Sequence, residues 1–183
     1  MEAREQLRQL LKQRSFLYRP DKPFKLAAGG ESPYYIDCRP VTHNARGLAL
    51  IGGIVFEMVR GLKVQAVGGL TMGADPIAHA VAVTSFLKGE PINAFSVRKE
   101  AKEHGAGGLV VGDVRPGDRV VILEDVITTG RSTLQAVNGA RDFGLEVARV
   151  IVLVDRGEGG RAAVQEVIPE VDAVFTVEDL KAV

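Results

Sequence analysis

The sequence is poor in cysteine, in net charge and in long apolar runs, and each shortage removes a class of protein. Cys38 is the single cysteine, so no intramolecular disulfide can form and no zinc framework is visible. That usage points to a reducing compartment, and we expect the cytoplasm. Lys+Arg and Asp+Glu stand at 23 each, a formal net charge of zero. Such a balance argues against nucleic acid or a membrane surface as the main partner. The N-terminal stretch MEAREQLRQLLKQR is charged throughout and has no apolar signal-peptide core. No apolar run approaches the ~20 residues of a membrane helix. Internal repeats, low-complexity tracts and linkers are also missing. Neither G-x-x-x-x-G-K-S/T nor G-x-G-x-x-G occurs, which removes the Walker A loop and the dinucleotide fingerprint.

What is present is an ordinary globular composition. The chain has 183 residues, 46% hydrophobic and 25% charged, enough to bury a core within one domain. Ala3, Leu7, Leu10 and Leu11 recur at helical spacing, so an amphipathic helix opens the chain. RPDKPFKLAAGGESPYYIDCRP reads as a short hairpin or loop apart from any main sheet. GLALIGGIVFEMVRGL is a second helix. Strands are then predicted over 63–69 and 92–99, with a helix over 76–89 between them, opened by Pro76 and closed by Gly89. Residues 99–118 are too charged and Gly-rich for one element. RVVILED is a strand, RSTLQAVNGARDFG a helix ending near Gly144, and VARVIVLVDR a long apolar strand. GRAAVQEV follows as a short helix and DAVFTVEDL as a final strand. Apolar strands alternating with amphipathic helices predict an α/β fold, a mostly parallel central sheet flanked by helices. Ligands of such sheets bind at the carboxyl ends of the strands, near a switch in strand order. The segments expected there are GGLTMGADP, Lys99–Gly112, EDVITTGRST and DRGEGG.

VVILEDVITTGRST, Val120 to Thr133, holds the sharpest chemistry. Glu124 and Asp125 follow an apolar run directly, and burying adjacent carboxylates without partners is costly. The turn after them leads into a helix starting near Arg131, so it presents free N–H groups and the positive end of a helix dipole. Gly130 permits a tight turn, and Thr128, Thr129, Ser132 and Thr133 add hydroxyl donors. The turn suits a phosphate monoester and the acid pair suits neighbouring hydroxyls; a ribose 5-phosphate has both. The structural alternative makes Glu124 and Asp125 a strand-end salt bridge and a helix cap.

These residues resemble the motif by which type I phosphoribosyltransferases bind 5-phospho-α-D-ribosyl 1-diphosphate (PRPP): an apolar strand, two acids, then T-T-G-x-S/T. The resemblance implies the type I phosphoribosyltransferase fold with a small N-terminal hood. Residues 1–183 would form a single domain, with roughly 1–40 giving the N-terminal helix and the base-covering hood segment. Glu124 and Asp125 would hold the ribose diol, while Val126, Ile127, Thr128, Thr129, Gly130, Arg131 and Ser132 wrap the 5-phosphate. RKEAKEHGAGG, alone, reads as a solvated charged loop. Its R-K-x-x-K-x-H-G pattern resembles the catalytic loop of the orotate phosphoribosyltransferases, which reaches the neighbouring subunit. A homodimer is therefore implied, with Lys102 the principal catalytic cation and Arg98, Lys99 and His104 binding PRPP. FKLAAGGESPYYIDCR is similar to the base-covering segment of that family, which assigns Tyr35 and Ile36 to ring packing. VDRGEGG resembles its strand-end Asp-Arg, making Arg156 the partner of the orotate carboxylate and Thr128 a second orotate contact. GGLTMGADP matches its pyrophosphate loop, where Thr71, Met72, Gly73 and Ala74 offer backbone donors.

The chain departs from that pattern twice. Ala27 stands where many members carry lysine, and Lys25 is the candidate replacement, grouped with the orotate contacts. Met72 and Gly73 stand where some members have an aromatic–lysine pair. The implied reaction is transfer of ribose 5-phosphate from PRPP to orotate, giving orotidine 5′-monophosphate and pyrophosphate, a step of pyrimidine (UMP) biosynthesis. Mg²⁺ is expected to arrive with PRPP, without a protein ligand set of its own. The alternatives are a purine phosphoribosyltransferase, which should lack SPYYID and the 98–108 loop pattern, and a PRPP-sensing regulator, which should carry a nucleic-acid-binding face or added domain. Cys38 is expected to be a small buried side chain. His43 and His79 lack metal-ligand spacing, and Asp75 is either a helix cap or a ligand contact.

Overall fold

Leu7 and Leu11, one helical turn apart, are fully buried and seat the first helix, α1 (Ala3–Arg14), on the core. The structure, a computed structural model, describes residues 2–25, 31–100 and 108–181. After α1 come two small antiparallel ladders. β1 (Phe16–Tyr18) pairs with β4 (Tyr34–Ile36), and β2 (Phe24–Lys25) with β3 (Glu31–Ser32). Both lie outside the main sheet, as the Pro- and Gly-rich segment predicts. A short helix absent from the sequence reading, α2 (Arg39–Thr42), leads into α3 (Ala45–Val59). Asn44 caps α3, its side chain accepting from the Gly47 N–H at 3.1 Å.

Strands and helices then alternate. They are β5 (Ala66–Leu70), α4 (Asp75–Leu87), β6 (Asn93–Val97), β7 (Val110–Gly112), β8 (Arg119–Ile127), α5 (Arg131–Phe143), β9 (Glu146–Asp155), α6 (Gly160–Gln165), β10 (Val171–Thr176) and α7 (Val177–Lys181). Among the described residues the main sheet runs β10-β9-β8-β5-β6-β7, parallel throughout except for β7, which is antiparallel to β6. The expected mostly parallel sheet flanked by helices is therefore present. Period-two alternation divides its core. On β8, Val121 and Leu123 join the apolar cluster of α1, α3 and α4, while Val120 and Ile122 pack with Ala136, Val137 and Ala140 of α5. Full burial of one such side chain contributes ~1.5–3 kcal/mol, so these two apolar faces hold the layers together.

Besides shifts of one to three residues at the ends of β5, α4 and β6, three differences from the sequence reading matter. Residues 99–118 contain β7, an edge strand of 3 residues, too short to display a period. The strand RVVILED continues to Ile127, so Val126 and Ile127 belong to β8 and not to the turn. DAVFTVEDL is a strand only to Thr176. There Asp179 accepts from the Thr176 N–H at 2.7 Å and from its Oγ1 at 2.9 Å, a Thr-x-x-Asp cap that starts α7.

Strand order reverses at β5 and β8: β6 continues on one side, β9 and β10 on the other. The loop after β5 and the turn after β8 therefore meet at the crevice where sheets of this kind bind ligands. Among the described residues no helix is long and apolar enough to cross a membrane.

Candidate active site

A cleft of about 570 Å³ opens at this crevice, with Tyr35, Ile36, Thr71, Met72, Gly73, Lys99, Glu124, Asp125, Val126 and Ser132 in its walls. A hollow of about 80 Å³ shares Glu124, Val126 and Ser132 with it and is closed by Thr128 to Arg131. The backbone explains the hollow. Arg131, Ser132 and Thr133 form the first turn of α5, whose N–H groups have no intrahelical partner. Thr128, Thr129 and Gly130 precede it, and the first N–H of this stretch to find a carbonyl is that of Leu134, to Gly130 at 2.8 Å. A ring of donors at a helix N-terminus suits a phosphate. Gly130 turns the chain at φ 80, and a Cβ there would lie 2.8 Å from the Gly160 carbonyl oxygen. The turn is also pinned from outside, since Gly160 N–H donates to Thr128 O at 3.0 Å and Arg156 N–H to Ile127 O at 3.1 Å. Gly160 was not singled out in the sequence; its signal is the Gly-Gly of DRGEGG.

The acids sit at the end of β8, with alternation sending them to different neighbours. Glu124, 6% exposed, accepts from Thr133 Oγ1 at 3.1 Å. Thr133 is itself buried and so serves the acid, whereas the sequence reading counted it with the phosphate donors. Asp125 accepts from the Val126 N–H at 2.9 Å, and the Cys38 thiol donates to its backbone carbonyl at 3.8 Å. Neither acid forms a salt bridge among the described residues, so the strand-end ion pair of the structural alternative does not occur there. Burial, and after it the charge of Asp125, pushes the Glu124 carboxyl up to about 8. Burial raises Asp125 as well, and Asp37 adds to the effect. Cys38 is buried as expected, its thiol pushed well up by desolvation and then by Asp125.

The loop after β5 offers fewer donors than the sequence suggests. Thr71 N–H is taken by Val97 O at 2.9 Å and Ala74 N–H by Leu70 O at 3.3 Å, which leaves those of Met72 and Gly73. A Cβ on Gly73 would lie 2.6 Å from Asp125 Oδ1, so the backbone itself comes against the carboxyl group. Asp75 is neither cap nor cleft residue: its Oδ1 accepts from Ser96 Oγ at 2.7 Å, tying α4 to β6.

Arg156, at the end of β9, is 5% exposed. One terminal nitrogen meets Glu158 Oε1 at 2.7 Å, and Nε is buried with no acceptor among the described residues. Lys25 is exposed on β2 and does not line the cleft. Arg98 borders a neighbouring hollow instead, whose wall Thr129 and Arg131 share with the smaller hollow of the turn. Lys102, His104 and Ala27 lie outside the described residues. The structure adds two cleft residues, Asp37 and Arg39, paired through Nε–Oδ1 at 2.8 Å and a terminal nitrogen–Oδ2 at 2.7 Å. Their signal was the D-C-R that follows the tyrosines. No described group of three or more His, Cys, Asp or Glu residues could hold a metal ion.

Residues 41–178 match the family model of the phosphoribosyl transferase domain. The orotate phosphoribosyltransferase of Aquifex aeolicus (strain VF5) is 43% identical over 180 residues, spanning 98% of each chain. The crystal structure of Mycobacterium tuberculosis H37Rv orotate phosphoribosyltransferase in complex with Fe(III) dicitrate superposes with a TM-score of 0.85 at 38% identity, over 99% of this chain and 100% of that one. The same mycobacterial enzyme in complex with PRPP gives a TM-score of 0.78 at 34% identity, over 97% and 91%.

The folded protein retains the Glu124 proton up to about pH 8, while the unfolded chain releases it near the ordinary 4.5. The unfolded state thus binds fewer protons between these values, and stability falls as pH rises across them. Glu124→Gln is expected to remove that loss. Thermal denaturation of the unliganded variant should give a melting point at least ~3 °C above the parent at pH 8, and level with it at pH 5.

Proposed function

Because the chain belongs to the orotate phosphoribosyltransferase family, we propose that it transfers ribose 5-phosphate from PRPP to orotate, releasing pyrophosphate and forming orotidine 5′-monophosphate for pyrimidine synthesis. The observation that carries this reading is the acid pair Glu124 and Asp125, in no salt bridge among the described residues, close to a ring of unpaired N–H donors. The two features fit opposite ends of one ribose 5-phosphate. Glu124 and Asp125 accept from the 2- and 3-hydroxyls, and the turn from Thr128 to Ser132 takes the phosphate.

The bond from C1 to the diphosphate breaks as a ring nitrogen of orotate forms its bond to C1. Breaking runs ahead, so the ribose gains positive charge, and Asp125, joined by Glu124 as that charge favours loss of its proton, stabilises it as it develops. The electron pair leaves with pyrophosphate, for which the Met72 and Gly73 N–H groups are donors in the same cleft. Orotate enters already anionic and needs no strong base. Arg156 answers its carboxylate, a planar group that suits a guanidinium. Tyr35 and Ile36, in the cleft wall, pack the ring, and residues 1–40 serve as its hood.

The acids of the cleft leave carboxylate oxygens free for Mg²⁺ or its water shell, but they do not make a cage. That fits an ion held mainly by substrate phosphates, where it supplies charge neutralisation. Lys99, in the cleft, together with Arg98, Lys102 and His104 brings further cations to the leaving group. We assign Lys102 the chief catalytic role and let the loop act on the partner subunit of a homodimer. Val83, Phe86 and Leu87 support that assembly: they leave an apolar face of α4 exposed at 62%, 73% and 77%. The unpaired Cys38 accords with a cytoplasmic setting.

A substrate panel tests the base assignment. Pyrophosphate release should require orotate, PRPP and Mg²⁺; turnover with adenine or hypoxanthine in place of orotate would sink it. Lys102→Ala should lower the single-turnover rate by at least ~10²-fold with a smaller change in PRPP affinity. Near-parental rates would remove Lys102 from the chemistry. Mixing Lys102→Ala with Arg156→Leu subunits should restore activity above either variant alone, because one site of the hybrid dimer then has an intact loop and an intact base pocket. Absence of rescue would place the loop on its own subunit.

A further inference from the structure

Tyr34 has no part in the reaction as described, yet its ring meets the arginine assigned to the base. The Arg156 guanidinium carbon lies 5.4 Å from the Tyr34 ring centroid. Lys181 Nζ, from α7, lies 4.5 Å from the same centroid. Phe16 stacks on this ring with centroids 6.0 Å apart and an interplanar angle of 26°. The Tyr34 backbone is equally tied. It pairs with Tyr18 across β1 and β4, and its N–H donates to Ser32 Oγ at 3.3 Å. The same hydroxyl is reached at 3.5 Å by Arg156, 124 residues away in sequence.

Arg156 needs such support. It is nine-tenths buried, its one salt-bridge partner is Glu158 on the same loop, and its Nε has no acceptor among the described residues. A guanidinium recognises a carboxylate only when its planar fork is correctly turned. An aromatic face attracts a desolvated cation and limits how it can rotate. The Tyr34 hydroxyl has no hydrogen-bond partner among the described residues, so the ring carries the contact. Lys181 and Phe16 in turn hold the ring in place from α7 and β1.

We infer that Tyr34 is a positioning residue for base recognition, its ring holding the Arg156 guanidinium in the orientation that meets the carboxylate of the incoming base. This rests on the assignment of Arg156 to the orotate carboxylate. Acting through Arg156, Tyr34 governs the base and leaves PRPP alone.

Steady-state kinetics on the full-length enzyme separate these roles. Tyr34→Leu, which keeps an apolar side chain and loses the π face, should raise the KM for orotate about 3- to 30-fold. The KM for PRPP and kcat should stay within about twofold, since PRPP does not meet this ring. Tyr34→Phe, which keeps the ring, should restore the orotate KM to within about twofold of the parent. In an Arg156→Leu background, Tyr34→Leu should add nothing to the orotate KM. A purely structural role would instead shift both KM values together, or add its effect on top of Arg156→Leu, and either result overturns the inference. If Arg156→Leu raises the orotate KM and Tyr34→Leu does not, the inference fails alone. If Arg156→Leu leaves the orotate KM unchanged, the base assignment fails and takes this inference with it.

Discussion

Two adjacent acids, one buried and one half-buried, with no salt bridge to either among the described residues, are the constraint on which this molecule turns. Glu124 and Asp125 lie near the carboxyl end of β8, where burial makes ionisation costly. The protein meets that cost with apolar packing on both faces of the sheet, and the compensation it withholds locally is what a polyhydroxyl ligand can supply. A hydroxyl of Thr133 and the N–H of Val126 satisfy part of the acceptor capacity, and the remainder faces the cleft. The site is thereby preorganised to gain most when positive charge appears next to it.

The remaining parts are ordered by polarity around that pair. Donors at the α5 N-terminus lie on one side, the Met72 and Gly73 N–H groups on another, and the Arg156 guanidinium at the end of the adjacent strand. Each location follows from topology. The order of strands reverses between β5 and β8, so the loop after one and the turn after the other converge, and β9 brings its terminal arginine alongside. Asp37 and Arg39 complete the rim as a mutually neutralising pair.

Much of this was readable from the chain because the relevant signals are local. The apolar run before Glu124, the Thr-Thr-Gly turn and the amphipathic α5 follow one another within 25 residues, since β8 and α5 span Arg119 to Phe143 with the turn between. What escaped the sequence reading depends on distant partners or on short elements. β7 has too few residues to show alternation. The hydroxyl of Thr133 looks like any other in a hydroxyl-rich turn until the fold directs it inward to Glu124. Thr71 and Ala74 look like free loop donors until Val97 and Leu70 are seen to use them. The ring beside Arg156 comes from a ladder 122 residues earlier (156 less 34), a separation at which no periodicity carries information. The Thr-x-x-Asp cap of α7 was visible in TVED, but the apolar residues before it favoured a longer strand.

The two backbone bonds from the β9 loop to the β8 turn, Arg156 to Ile127 and Gly160 to Thr128, have a consequence for how such a site can change. On the proposed assignment of Arg156 to the base and the turn to the phosphate, they make the two frames one piece of backbone. Substitutions that alter only side chains on that loop can retune the choice of base while the phosphate stays anchored. Insertions or deletions between Arg156 and Gly160 would shift the cradle as well. On that assignment, changes of base preference here would come by point substitution, with length variation left to segments that carry no such pair of bonds.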